Sequence, residues 1–405
     1  MNSPQSTIHS PRSAKMLVIG DSPTENTGFA CVVRNTIQHW EPFFDIDIWG
    51  INYNGWPHEY PYRIFPAGKK WEHPESLSKL LNFIRASDYT HVWILQDLFL
   101  LAEQGFPKFL KDVCVDKEIR LLTYYPVDAP LEPEWLGMPR LSDVSATFTK
   151  YGETETLMAA KGNPIKALHV IPHGVDTDIF RPLEAEVRKK LREDYFPPAW
   201  QKSCILVNVN RNERRKAMVH SLQVLKRLRD KSSMGYKLYL HCPRKNQMEQ
   251  IDLKQLGDAM GLEYGKDWFL PNEADFQRGL GQFSEEQMNE LYNAADLCIT
   301  TTLGEGWGLS LTEAAAAGMR VVGPHNTSLP EIAAIVGDRM RLAPVSNIAI
   351  ANVGDNSRVR HAVDVEAMAD KISGFNNSYE RLPLSDEAKR TLSWERIGKS
   401  WLELF

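Results

Sequence analysis

Short apolar runs alternate with longer stretches of helical periodicity along the first half of the chain. Residues 16–20 (MLVIG), 46–50, 91–95 (HVWIL) and 121–125 (LLTYY) are rich in Val, Ile, Leu and aromatics, the pattern of strands covered on both faces in a parallel sheet. The rhythm restarts after Arg192, where Pro197-Pro198 interrupts it, with 204–209 (CILVNV), 237–242 (KLYLHC), 297–301 (LCITT) and 320–322. Strands alternating with helical segments predict an α/β fold with a doubly wound sheet in each half. Ser284-Glu285-Glu286-Gln287 has capping-box spacing, and Met288, Leu291, Tyr292 and Ala295 follow at helical intervals, which predicts a helix feeding the strand that opens at Leu297. At the end of the chain Trp394, Ile397, Trp401 and Leu404 fall near one helical face, so a terminal helix packed on something apolar is expected.

With 405 residues the chain exceeds one ordinary core, and two domains are expected. The division read from the pattern is a disordered polar tail at 1–14, an N-terminal domain at 15–185, a second domain at 186–385, and a C-terminal helix within 386–405. The hydrophobic fraction of 43% and charged fraction of 24% are those of a globular protein.

A formal net charge of -5 gives no global attraction to nucleic acid or an anionic membrane. The first residues lack an apolar signal region, and no run approaches the roughly 18 apolar residues of a membrane span. Cys31, Cys114, Cys204, Cys242 and Cys298 are odd in number and contain no C-x-x-C pair, which supports neither a disulfide framework nor a zinc cluster. A cytoplasmic protein is expected.

The segment 300–324 (TTTLGEGWGLSLTEAAAAGMRVVGP) reads as strand, glycine-rich loop, short helix, strand. Gly304, Gly306 and Gly308 let a ligand approach the backbone, and the helix that follows aims free N–H groups and its positive dipole end at the same point. An anion such as a diphosphate suits that place. Glu305 and Glu313 are eight positions apart, one at the loop mouth and the other expected about two turns along the helix. A carboxylate accepting two hydrogen bonds suits a vicinal diol of a sugar or ribose. In 207–217 (VNVNRNERRKA) a strand is followed at once by Arg211, Arg214, Arg215 and Lys216, at the strand end where open α/β sheets bind ligands.

The run from Glu305 to Gly318, E-G-W-G-L-x-L-x-E-A-x-A-x-G, and the run at 171–182 (IPHGVDTDIFRP) resemble the E-x7-E and interdomain signatures of the retaining glycosyltransferases of family 4. The resemblance extends from about residue 15 to the C-terminus. It implies a GT-B fold: two Rossmann-like domains facing each other across a cleft, acceptor-binding then donor-binding, with the C-terminal helix crossing back to the first. It also implies that Glu305 faces the donor sugar and diphosphate, that Glu313 holds the ribose hydroxyls, and that Arg211 and Lys216 bind phosphate. Gly306, Trp307, Gly308 and Leu309, with Gly28 from the first half, would complete the donor site. Gly28 in ENTGFA stands where the family often has a Gly-Gly loop, and Lys216-Ala217 where it often has Lys-Gly.

Many relatives offer a histidine near the reacting sugar, whereas here Gln96-Asp97 and Pro126-Val127-Asp128 follow the relevant strands. Asp97 and Asp128 are the candidates for the acceptor face, each with a helix N-cap as the alternative role. The implied activity is transfer of a hexose from a UDP- or GDP-linked donor to an acceptor hydroxyl with retention, without a cofactor or metal. A nucleotide-sugar epimerase or hydrolase, and a non-catalytic nucleotide- or glycan-binding module, are the alternatives. The acceptor stays open among glycan, lipid, protein and modified DNA base. Asp45-Ile-Asp47 and Asp176-Thr-Asp178 match D-x-D, but one lies in a strand pattern and the other in the interdomain signature, so neither is expected to hold metal.

Overall fold

The computed structural model describes residues 14–68, 74–232, 235–246, 250–271, 283–351, 358–375 and 380–405. The expected polar tail lies outside the described residues except for Ala14, which is not tail but the first residue of strand β1 (Ala14–Asp21), paired with Phe44.

The first half builds a seven-stranded sheet from β1, β2 (Phe44–Ile51), β3 (Arg63–Gly68), β4 (His91–Leu95), β5 (Arg120–Tyr125), β6 (Val144–Thr147) and β7 (Leu168–Val170). Its order is β3-β2-β1-β4-β5-β6-β7 and every pairing is parallel. The two-residue side-chain period divides β4 and β5 between two cores. Trp93, Leu95, Leu122 and Tyr124 join one, and Val92, Ile94, Leu121 and Tyr125 the other. That is why these strands read as unbroken apolar runs.

The second half repeats the architecture with β8 (Cys204–Val209), β9 (Tyr236–His241), β12 (Trp268–Phe269), β13 (Leu297–Ile299), β14 (Arg320–Pro324) and β15 (Met340–Ala343). The order is β12-β9-β8-β13-β14-β15, all parallel. A two-residue ribbon, β10 (Lys245–Asn246) with β11 (Ile251–Asp252), and an antiparallel hairpin, β16 (Val345–Ala351) with β17 (Val359–Val363), are added to it. Strand order reverses between β1 and β4 and again between β8 and β13. Crevices that bind ligands form at such points, beyond the carboxyl ends of the strands.

The helix Glu285–Ala294 carries the expected capping box, Ser284 and Gln287 each bonding the other's backbone N–H. The final helix, Trp394–Leu402, returns to the first half. Its Trp401 ring lies edge-on to Trp40, Trp93 and Tyr124, and Trp40 donates from Nε1 to the Gly398 carbonyl at 3.0 Å. Trp394 and Trp401 are accordingly buried. Among the described residues no helix is long and apolar enough to cross a membrane.

Candidate active site

The loops leaving β8 and β13 are tied into one unit, and the loop after β14 is bonded to it. The Leu303 N–H donates to the Arg215 carbonyl at 2.7 Å, Thr301 Oγ1 to the Ala217 carbonyl at 2.9 Å, and Asn326 Nδ2 to the Thr302 carbonyl at 3.1 Å. Buried hydroxyls thus fix backbone that would otherwise be free to move. Ala217 holds a left-handed conformation, φ 48°, which is why the family pattern often has glycine there.

Gly308 has φ 113° and turns the chain into the helix Leu309–Ala316. This helix starts later than the spacing suggested, so Glu313 lies just over one turn in. Gly304 sits so close to the other half that an added Cβ would collide with the Asp128 carbonyl and the Arg360 guanidinium, and Gly306 lies against Pro126. The glycine-rich loop is therefore where the two sheets' loops meet.

Lys216 Nζ donates to both Glu305 carboxylate oxygens at 2.7 Å. Burial alone would raise the Glu305 carboxyl, but Lys216 and Arg215 hold it below its ordinary range. Burial draws Lys216 down to about 8, against the pull of the carboxylate; the pair is ionised at neutral pH. Arg215 Nη1 donates to the Gly304 carbonyl at 2.8 Å, stands 3.6 Å from Glu305 Oε2, and reaches Asp128 Oδ2 of the other half at 3.2 Å.

Asp128 is the hub of the opposite wall. Besides Arg215 it receives Arg358 at 2.8 Å and Arg360 at 3.1 Å, and its backbone carbonyl accepts from Arg360 as well. Burial would raise its carboxyl, yet Arg215, Arg360 and Arg358 together bring it to about 2. Asp97, next to it, is pushed the other way, to about 6, by burial and by the Asp128 charge. Asp97 does stand at the N-cap position of the short helix Leu98–Leu101, but its side chain makes no capping bond.

Glu313 accepts from the Tyr292 hydroxyl at 3.0 Å, and burial lifts it to about 7. Leu309 faces Gly28 across the cleft, its Cδ1 at 3.6 Å from where a Gly28 Cβ would stand. Trp307 is buried, its ring 5.7 Å from His173, which in turn packs on Phe148 and Trp394. Burial takes His173 down to about 3, so the ring is neutral. The first half, the interdomain segment, the glycine-rich loop and the terminal helix thus share one aromatic stack. Arg211 is at the rim, 76% exposed and paired with Glu213 at 3.1 Å.

The structure therefore brings Lys216, Glu305, Asp128 and Asp97 together, sets Glu313 and Leu309 along the adjoining helix, and leaves Arg211 outside the cluster. Arg215 occupies the central basic position; it lay in the same run and, like Lys216 and unlike Arg211, faces inward. Arg358 and Arg360 carry no spacing signal toward Asp128. One carboxylate of each D-x-D run is engaged elsewhere: Asp47 accepts from Arg63 and Tyr89, and Asp176 from the Asp178 N–H. Among the described residues no group of three His, Cys, Asp or Glu is arranged to hold a metal ion.

Residues 203–374 match the family model described as Glycosyl transferases group 1. That match spans the second half of a chain that has the GT-B architecture. It is 23% identical over 294 residues to the MMP alpha-(1->4)-mannosyltransferase of Mycolicibacterium hassiacum, a match covering 66% of this chain and 64%, just under two thirds, of that protein. Among solved structures it is similar to sucrose-phosphate synthase from Thermosynechococcus elongatus, with TM-score 0.70, 16% identity, and 96% and 98% of the two chains covered. It is also similar to the E. coli trehalose-6-phosphate structure bound with UDP-2-fluoro glucose, with TM-score 0.62, 12% identity and the same coverage. At such identities the structural likeness speaks for the fold.

Proposed function

We propose that this protein transfers a hexose from a nucleoside diphosphate sugar to an acceptor hydroxyl, with retention of anomeric configuration. The observation that carries the reading is the Lys216–Glu305 pair, held at 2.7 Å on two loops tied to each other at the mouth of a helix. In this reading the diphosphate rests on the N-terminal end of the helix Leu309–Ala316 and on the loop backbone, with Arg215 and Lys216 as its cations. Glu313 receives the ribose hydroxyls, and Glu305 faces the sugar.

As the bond from C1 to the phosphate oxygen breaks, negative charge gathers where Arg215 and Lys216 already stand, which lowers the barrier without reorganisation. The new bond forms between C1 and the acceptor oxygen on the same face, and the acceptor proton passes to the departing phosphate. The two cations supply the positive charge at the leaving group in place of a metal. Closing of the two halves on the glycine-rich loop excludes water and limits wasteful hydrolysis. The acceptor enters along Asp97 and Asp128. The similarity to a mannosyltransferase and to a protein bound with UDP-2-fluoro glucose supports a hexosyl donor.

A thermal-shift panel of UDP, GDP, ADP and their sugar conjugates tests the reading, since a ligand of the folded state raises stability by mass action. One nucleotide is expected to stabilise the wild type and to lose that effect in Lys216→Ala. No shift with any of them would overturn the donor site. Donor consumption that yields only free sugar or an epimer, whatever acceptor is added, would favour a hydrolase or epimerase instead.

A further inference from the structure

Glu331 joins the two halves beside the glycine-rich loop. It lies in the first turn of the helix Leu329–Val336 of the second half, yet its Oε2 accepts from the Lys150 N–H and its Oε1 from the Tyr151 N–H, each at 2.8 Å. Those two amides open the helix Lys150–Ala160 of the first half, and the next one, that of Gly152, donates to Thr149 Oγ1 at 3.0 Å. The first N–H groups of a helix have no partner within it, and the positive end of its dipole favours an anion. Thr149 serves one of these three amides locally; a carboxylate from the opposite half serves the other two.

The segment leading into Glu331 is bound to the loop itself. Thr327 Oγ1 accepts from the Glu305 N–H at 2.9 Å, and Ser328 Oγ donates to the Trp307 carbonyl at 2.7 Å. Thr327 holds φ 42°, a left-handed conformation that is costly for a β-branched residue and persists only where surrounding contacts impose it. From the first half, Phe148 Cδ2 stands 3.5 Å from where a Gly306 Cβ would be, and Phe148 shares its loop with the Lys150 amide. The contacts therefore close a ring, from the loop through Ser328 to Glu331, on to the Lys150 and Tyr151 amides, and back through Phe148 to Gly306. Arg34 and Glu285 also pair across the halves, at 2.8 Å, but from a different helix of the second half, Glu285–Ala294.

We propose that Glu331 is a positioning residue: it seats the first half on the glycine-rich loop, so that a nucleotide bound by the second half is felt at the start of the helix Lys150–Ala160. The side chain acts through Thr327 and Ser328 on one side and through Phe148 on the other, at the loop where Glu305 faces the sugar. Such coupling is reciprocal: if seating favours the loop geometry that receives a diphosphate, the diphosphate favours seating by the same factor. The role in sugar transfer rests on the donor reading above; the clasp rests on the contacts between the halves.

Hydrogen exchange of the full chain, read on peptides spanning 148–153 and 303–309, tests the clasp. UDP, GDP and ADP are each added to wild type, and the one that binds by calorimetry is expected to slow both peptides by about threefold or more. Without nucleotide, Glu331→Ala is expected to speed exchange of 303–309 by about threefold or more, although residue 331 lies outside that peptide. With nucleotide, the slowing of 148–153 should vanish in this variant and the affinity fall by the factor lost there. Glu331→Gln, with one carbonyl oxygen for two amides and no charge, should fall between; melting curves verify that both variants fold. Unchanged exchange of 303–309 in Glu331→Ala would overturn the clasp, as would bound nucleotide that leaves 148–153 unaffected in wild type or slows it equally in the variant. Equal loosening of both peptides by Arg34→Ala would overturn it too, since any cross-half contact would then serve. Should none of the three nucleotides bind, the donor reading fails by itself, and the nucleotide-free comparison of wild type, Glu331→Ala and Arg34→Ala decides the clasp.

Discussion

The two walls of the cleft come from sheets of one class, yet they assemble their charges differently. On the β8 and β13 wall, Arg215, Lys216, Glu305 and Glu313 lie in two short segments whose backbones are bonded together, and each cation already has its carboxylate. On the β4 and β5 wall, Asp97 and Asp128 arrive almost without local partners, and Asp128 is balanced by arginines 230 and 232 positions away. The first wall is a preformed site, and the second is completed only when the halves and the hairpin come together. Neighbouring carboxyls therefore behave in opposite ways, Asp128 drawn down to about 2 and Asp97 lifted to about 6.

The largest expected effect breaks the preformed wall. Lys216→Ala removes a leaving-group cation and leaves Glu305 with Arg215 alone, and sugar transfer should fall roughly 100- to 1,000-fold, as when one charge-stabilising donor is deleted. Initial rates at saturating donor check this, and a loss below about threefold would contradict the assignment.

Breaking the assembled wall should show in stability first. Asp128→Asn strands buried arginines, and urea unfolding is expected to lose about 3 kcal/mol, as for a buried pair deprived of one partner. The pH sign follows from the depressed carboxyl. The Asp128 contribution is fully present above its unfolded value near ~4 and is lost as pH falls through about 2. The variant should lack that part of the acid limb.

A smaller effect sharpens the contrast on the donor side. Glu313, lifted to about 7, is protonated in the folded state at pH 6 and charged at pH 8. Only the carboxylate accepts two ribose hydroxyls, so nucleotide affinity should rise up to about tenfold over this interval. Its stability effect has the opposite sign to that of Asp128. It costs the folded state progressively between the unfolded value near ~4.3 and about 7. Glu313→Gln should flatten the affinity profile; an unchanged profile would remove Glu313 from the ribose.

The contrast also explains what the sequence could convey. The strands β1, β4, β5, β8 and β13 are covered on both faces and announce themselves as apolar runs, and the loop from Glu305 to Gly308 announces itself by glycine spacing. β7 (LHV) is too short and only half-buried, and β17 (VRHAV) is interrupted by the adjacent Arg360 and His361, so neither rises above its surroundings. Arg215 was visible as one of four cations. Its selection over Arg211 depends on which way each side chain turns after β8, and periodicity does not encode that. Arg358 and Arg360 reach Asp128 through tertiary placement alone. Trp307, which looks like a ligand-facing residue in its motif, is taken up by the aromatic stack with His173.

The most direct test is calorimetric titration of the stabilising nucleoside diphosphate into wild type, Lys216→Ala and Asp128→Asn. The donor wall described here predicts at least a tenfold loss of affinity in Lys216→Ala and a change within about threefold in Asp128→Asn. Equal losses in the two variants, or an undiminished affinity in Lys216→Ala, would contradict the claim that the second half supplies the cations of the donor site.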